Sequence, residues 1–387
     1  MLSSTSTTPA VRIHLPGNLQ EENIQEVRIE LKGVAKVAIS KESLVSTESI
    51  QLAKGNVTLW TRGTAYPPPG QDTLRVPFQL RLPPNAPPPF EYNGWAKKGS
   101  IRYTLIAICV RPGAVQRHHR VYVPLAVAGR DTTGIAAREK LAAIAAGAEG
   151  LWRVHHAEEK IRKGLWGDYA TVQVHLRLPD ISTFPLYVPI PFVIDVSTTS
   201  APLTRSKADA YPRDKPIFPP VPTAYHLLDF KLRRHVHISM RDDFQAQDGT
   251  DTVADICSAA STVEQEVPER EWVPLESIGD KKIEIGPSTK GTWVQRATFQ
   301  STFRLDCSHT FSTKTISCTY ALELKVPFPG IGNDVHIRVP LTITSGIDKP
   351  TLRSQLLGGS QADEEAFDNL PAYEPGDNEE YWETQEK

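Results

Sequence analysis

The sequence predicts an all-β protein: two tandem immunoglobulin-like β-sandwiches with one inter-domain helical segment and a disordered acidic tail. Three observations carry this reading. Short runs in which apolar and polar residues alternate recur along most of the chain, the pattern of strands with one buried and one wet face. Thirty-two prolines among 387 residues argue against long helices, because proline lacks the backbone N–H and clashes with the preceding turn. Hydrophobic residues at 40% and charged residues at 23% belong to a globular chain with a core, and the length suits two domains.

Taken in order, residues 1–9 are rich in Ser and Thr and are expected to be disordered. Residues 10–130 read as a first sandwich, with strands near 11–15, 27–31, 57–60, 74–82, 101–110 and 121–127. The run Leu74, Val76, Phe78, Leu80, Leu82 is flanked by proline clusters at 67–69, 83–84 and 87–89, which force extended or turn backbone. Residues 131–165 are alanine-rich, with Ala137, Leu141, Ile144, Ala148 and Trp152 at helical spacing. Gly147 and Gly150 divide this helical linker, and the pairs Glu158/Arg162 and Glu159/Lys163 support a helix in its second piece. It reads as a connector; its basic residues leave an amphipathic membrane-binding helix as the alternative.

Residues 166–345 read as the second sandwich, with strands near 172–178, 227–240, 299–305, 316–326 and 335–343. Within it, 241–287 is polar and acidic, and is expected to be a long, partly disordered insertion. Residues 346–387 lose all periodicity and read as the disordered acidic tail.

An internal echo links the halves. Ile101-x-Tyr103 opens a strand reaching Arg111-Pro-Gly113, and the next strand ends Val123-Pro124-Leu125. Cys318-x-Tyr320 likewise leads to Phe328-Pro-Gly330 and then to Val339-Pro340-Leu341. The two tyrosines lie 217 residues apart and the two prolines 216, so a duplicated hairpin is expected.

The net charge of −2 hides a strong polarity along the chain. Residues 1–130 carry +8 and the last 42 carry −8, which suggests anionic partners for the first half and a solvated tail. The near-neutral total gives no support for a nucleic-acid partner. Four scattered cysteines suit a reducing compartment, and neither a secretory leader nor a run of 18 apolar residues occurs. The expected location is cytoplasmic, free or peripheral at a membrane.

Enzymatic signatures are weak, and no cofactor, metal or catalytic residue is assigned. Gly286-Pro-Ser-Thr-Lys-Gly-Thr292 has the glycines of a phosphate loop but Thr292 where its lysine belongs, so a β-turn is expected. His235 and His237 would share a strand face, but two ligands without a third make a poor metal site. Cys307 and His309 would need to meet in a cleft to act as nucleophile and base. Lys97, Lys98, Arg111, Arg117 and Arg120 are candidate anion contacts, for phosphorylated tails or anionic lipids. In the tail, Leu370-Pro371-Ala372-Tyr373 has the proline and tyrosine spacing of a WW-domain ligand, with Leu370 in place of a first proline.

The segment Leu74-Arg-Val-Pro-Phe-Gln-Leu-Arg-Leu-Pro-Pro84, followed by Gly99-Ser-Ile-Arg-Tyr103 and Val121-Tyr-Val-Pro-Leu125, resembles the N-terminal domain of arrestins. Residues 166–344 are similar to the arrestin C-terminal domain, most clearly over 299–343. The WW-type motif favours the α-arrestin branch. That resemblance implies a non-enzymatic trafficking adaptor, peripheral at the plasma membrane or endosomes. It would bind cytosolic tails of membrane transporters or receptors and recruit a WW-domain HECT-type ubiquitin ligase through Leu370, Pro371 and Tyr373. The alternative is a ligase-independent arrestin-fold scaffold in endosomal sorting or signalling.

Overall fold

The computed structural model describes residues 10–14, 24–41, 44–64, 73–113, 118–129, 131–164, 167–212, 216–240, 246–259, 264–267, 269–275 and 286–347. In the first half the strands are β1 (Ala10–His14), β2 (Glu26–Lys41), β3 (Leu44–Thr61), β4 (Thr73–Pro77), β5 (Phe90–Gly94), β6 (Lys97–Val110) and β7 (His119–Pro124). β3, β2 and β6 lie side by side, with β5 and β7 both on the far side of β6, and β1 pairs with β4. All pairings here are antiparallel. Val27, Ile29, Leu31, Ala35, Val37 and Ile39 of β2 alternate inward and are buried, as the period of 2 requires. Gly33 takes its turn in that row because a Cβ there would stand 2.7 Å from the Tyr103 ring. β3 is an 18-residue edge strand interrupted by two register shifts, bulges that twist an edge and break its regularity.

The second half holds β8 (Trp152–Arg162), β9 (Tyr169–Pro179), β10 (Phe184–Pro185), β11 (Ile190–Thr199), β12 (Leu203–Thr204), β13 (Asp229–Ser239), β14 (Ala246–Asp255), β15 (Glu264–Glu266), β16 (Glu271–Pro274), β17 (Lys290–Phe303), β18 (Phe311–Ser312), β19 (Ile316–Val326), β20 (Val335–Leu341) and β21 (Ile343–Thr344). One sheet runs β12-β17-β11-β9-β8, with β15 and β16 also on β17. The other runs β14-β13-β19-β18, with β20 also on β19. Phe192, Phe230 and Phe303 from the two sheets meet between them with ring centroids 5.3–6.4 Å apart, at most 5% exposed. The core runs unbroken from Leu31 to Ile343 across both halves, which belong to one compact unit ending at Ile347.

Two expectations are corrected. The helix covers only Thr132–Ala145; the stretch after Gly150, expected to be helical within the 131–165 linker, is strand β8 at the edge of the second sandwich. The charged pairs that favour a helix also lie on one face of a strand, and an edge strand carries such charges toward solvent. The second sandwich therefore begins at Trp152. Residues 241–287, expected as an insertion, contain β14, which pairs with β13 over nearly its whole length, together with β15 and β16. Asp251, within this acidic stretch, faces inward there, opposite Arg234.

The helix is docked. Asp131 caps it by accepting from the Gly134 N–H at 2.9 Å and also accepts from Gly346 N–H at 2.9 Å, tying it to the end of the second sandwich. Arg138 donates to the Leu186 carbonyl at 2.7 Å, and Ala137 and Leu141 are buried.

The duplicated hairpin is present in register. Thr104 pairs with Pro124, and Ala321 with Pro340, each one residue after the repeated tyrosine. The likeness extends to whole sheets: β3-β2-β6 with β5 and β7 has the same order as β14-β13-β19 with β18 and β20. Phe90 lies opposite Ile101 just as Phe311 lies opposite Cys318. These counterparts touch one another. Phe90 and Phe311 meet edge-to-face at 5.1 Å, and Gly99 packs against its counterpart Ile316. Residues meeting their own equivalents is the arrangement of an isologous interface.

Candidate functional site

The repeated tyrosine explains the proline-rich approach to β5. Tyr103 is 1% exposed, and its hydroxyl donates to the Pro87 carbonyl at 2.9 Å, giving the segment a polar anchor where prolines offer no N–H. Burial pushes the Tyr103 phenol up to about 12.

At the position equivalent to Gly33, opposite Tyr320, the second sheet carries Arg234. Its guanidinium forks onto Asp251 at 2.9 and 2.5 Å and donates to the Glu91 carbonyl of the first half at 3.3 Å. It also lies 5.4 and 5.5 Å from the rings of Phe90 and Tyr92. Burial works against the charged guanidinium, but the hydrogen bonds and charge of Asp251 outweigh it and hold the pKa above its ordinary value. Ser308 Oγ donates to the Pro89 carbonyl at 3.1 Å, and the Lys97 ammonium donates to the Asp248 carbonyl. The seam between the halves is thus polar around an aromatic centre.

The candidate basic residues fall into two separate groups. Lys97 and Lys98 open β6, while Arg111 follows its end beside Arg120 of β7. Thirteen residues of extended strand put roughly 43 Å between Lys98 and Arg111, too far for one small ligand. Lys98 and Arg120 are exposed, whereas Lys97 is engaged at the seam. Arg117 and the motif residues Leu370, Pro371 and Tyr373 lie outside the described residues.

Beside the Lys97 turn, the tip of the β2–β3 hairpin presents Leu44 and Val45, 75% and 64% exposed, and the β5–β6 turn presents Trp95, 95% exposed. These side chains carried no pattern in the sequence, because only the meeting of two turns brings them to one end of the sheet.

The remaining candidates resolve as follows. His235 and His237 do share the outer face of β13. His235 Nδ1 meets the Thr250 hydroxyl at 2.9 Å, and its Nε2 accepts from Arg338 at 2.6 Å. Burial, and then the Arg338 charge, hold its pKa below the ordinary imidazole value. His237 pairs with Asp248 at 2.6 Å. Among the described residues no three His, Cys, Asp or Glu side chains converge to hold a metal ion. Burial pushes the Cys307 thiol up to about 11, so it is not a thiolate at neutral pH, and His309 spends Nδ1 on the Thr310 carbonyl. Gly286 to Thr289 form the expected turn, closed by Thr289 N–H donating to the Gly286 carbonyl at 3.0 Å. No helix among the described residues is long and apolar enough to cross a membrane.

The fold and these surfaces define a β-sandwich protein built on a repeated five-stranded sheet. Compared with models of known families and with curated proteins, the sequence matches none.

Proposed function

We propose that the chain is a non-enzymatic, arrestin-like trafficking adaptor, peripheral at membranes, that holds cytosolic tails of membrane proteins and recruits a WW-domain HECT-type ubiquitin ligase. The observation that carries the reading is the repeated sheet: β3-β2-β6 with β5 and β7, and β14-β13-β19 with β18 and β20, share one strand order. Tandem sandwiches of this kind offer broad sheet faces and hairpin tips to macromolecules, and the tail beyond Ile347 supplies Leu370, Pro371 and Tyr373 as the ligase contact. Tethering by the tail raises the effective concentration of ligase near bound cargo. The test is capture of WW domains by the full chain and by Tyr373→Ala, with unchanged thermal stability as control. The expected result is loss of capture with Tyr373→Ala. Undiminished capture removes the ligase role and leaves a ligase-independent sorting or signalling scaffold.

A further inference from the structure

Three side chains that water disfavours stand at one end of the first sheet. Trp95 is 95% exposed, Leu44 75% and Val45 64%. Backbone pairing places them side by side: Val45 is opposite Ser40, and Ser40 N–H donates to the Ala96 carbonyl at 2.8 Å. Two steps of about 4.8 Å across the strands leave roughly 10 Å between the backbones of Val45 and Ala96. The tip is braced. β2 and β3 form a long antiparallel hairpin, and Ala96 sits at φ 58°, a conformation that L-residues rarely adopt, fixing the turn that presents the indole.

Lysines flank the apolar tip. Lys41 ends β2 beside Leu44, and Lys98 follows the Trp95 turn; both are exposed. Residues 1–130 as a whole carry +8. An exposed indole and two exposed aliphatic side chains, with Lys41 level with Leu44 and Lys98 three residues beyond Trp95, match the mixed apolar and cationic character of a bilayer interface. Tryptophan settles at headgroup level, apolar side chains enter the acyl boundary, and lysines meet anionic headgroups.

We propose that the paired β2–β3 and β5–β6 tips are a membrane-docking site that inserts Trp95, Leu44 and Val45 into an anionic lipid surface and holds it through Lys41 and Lys98. The proposal deepens the peripheral-membrane part of the adaptor reading and rests on that reading only for its cellular setting.

The test uses the full chain with large unilamellar vesicles of phosphatidylcholine alone or with 30% phosphatidylserine, read by co-sedimentation. Fluorescence quenching by brominated acyl chains, compared between wild type and Trp95→Phe, reports insertion of that residue. Binding to the serine-lipid vesicles is expected, weakening as salt rises. Trp95→Ala and Leu44→Ser/Val45→Ser should each lower the partition coefficient about tenfold. Lys41→Glu/Lys98→Glu should lower it more than tenfold, at about fivefold for each lysine lost. All these positions are exposed, and an unchanged melting temperature certifies the fold. Absence of vesicle binding, or equal binding by wild type and all three variants, overturns the proposal. So does a concentration-dependent dimer that the tip variants abolish, which would assign the tip to a second copy of the chain. WW-domain capture by the same variants separates the two readings: lost vesicle binding with intact capture leaves the ligase role standing, and the reverse leaves the tip standing.

Discussion

Replacing Asp251 by Asn tests whether the Arg234 seam holds the two halves together. The substitution keeps the shape and one acceptor oxygen but removes the charge that a two-pronged guanidinium contact requires. Breaking one partner of a fully buried pair costs about 3–5 kcal/mol, and a charge-assisted hydrogen bond contributes about 1.5–3 kcal/mol. The Arg234 side chain is 18% exposed and Asp251 37%, so water recovers part of that loss and about 2 kcal/mol remains. Equilibrium urea unfolding of the full chain, followed by tryptophan fluorescence, should register that loss, and calorimetry a melting temperature lower by about 4 °C. Asp248→Asn is the matched control: its side chain is 87% exposed and pairs with surface His237, so the change should stay within about 0.5 kcal/mol. Arg234→Met with Asp251→Leu should recover most of the loss, because an apolar pair avoids the desolvation of two charges. If Asp251→Asn also costs less than about 0.5 kcal/mol, the pair is effectively solvated and the seam rests on its apolar contacts alone.

Three further outcomes follow from the geometry. Burial by itself would raise the Asp131 pKa, but the hydrogen bonds it accepts, led by those from Gly134 and Gly346, hold it below the ordinary carboxylate value. A carboxyl more acidic folded than unfolded contributes stability that is complete above the unfolded pKa near about 4 and is lost as pH falls through the lower folded value. Asp131→Asn should therefore flatten the acid limb of a stability profile below about pH 4, and Asp131→Ala should cost about 1–2 kcal/mol at neutral pH as the helix cap is removed. Ala96→Gly relieves a Cβ at φ 58° and should raise stability by about 0.5–1 kcal/mol in urea unfolding, since the strain removed exceeds glycine's added chain entropy.

How much of this was legible in the sequence depends on where each strand's faces point. β6 and β19 were plain because Ile101, Tyr103, Cys318 and Tyr320 are buried at alternate positions, so burial wrote its period into the residue types. β8 was not, since an edge strand facing water selects the same Glu, Lys and Arg that suit an exposed helix face. β14 hid for a different reason: Asp251 is stabilised facing inward by Arg234 from another strand, and a partner supplied across a sheet leaves no local signature. β11 does alternate, with Ile190, Phe192, Ile194 and Val196 buried, but a buried Val193 between them and a buried polar Thr198 blur the pattern in the residue types. At the surfaces, the basic residues were visible one by one, but their separation along β6 was not. Trp95 carries no signal in the sequence, because its exposure and its proximity to Leu44 and Val45 arise only from the pairing of the hairpins.

The contacts of Phe90 with Phe311 and of Gly99 with Ile316 have a consequence for behaviour in dilute solution. Two matching faces carried by separate molecules would part as concentration falls. Strung on a single backbone, with Asp131 pinning the link between them, they meet at a local concentration that dilution cannot lower. Whatever grips or loosens this join must therefore act by competing for its residues, because scarcity of the protein alone will never open it.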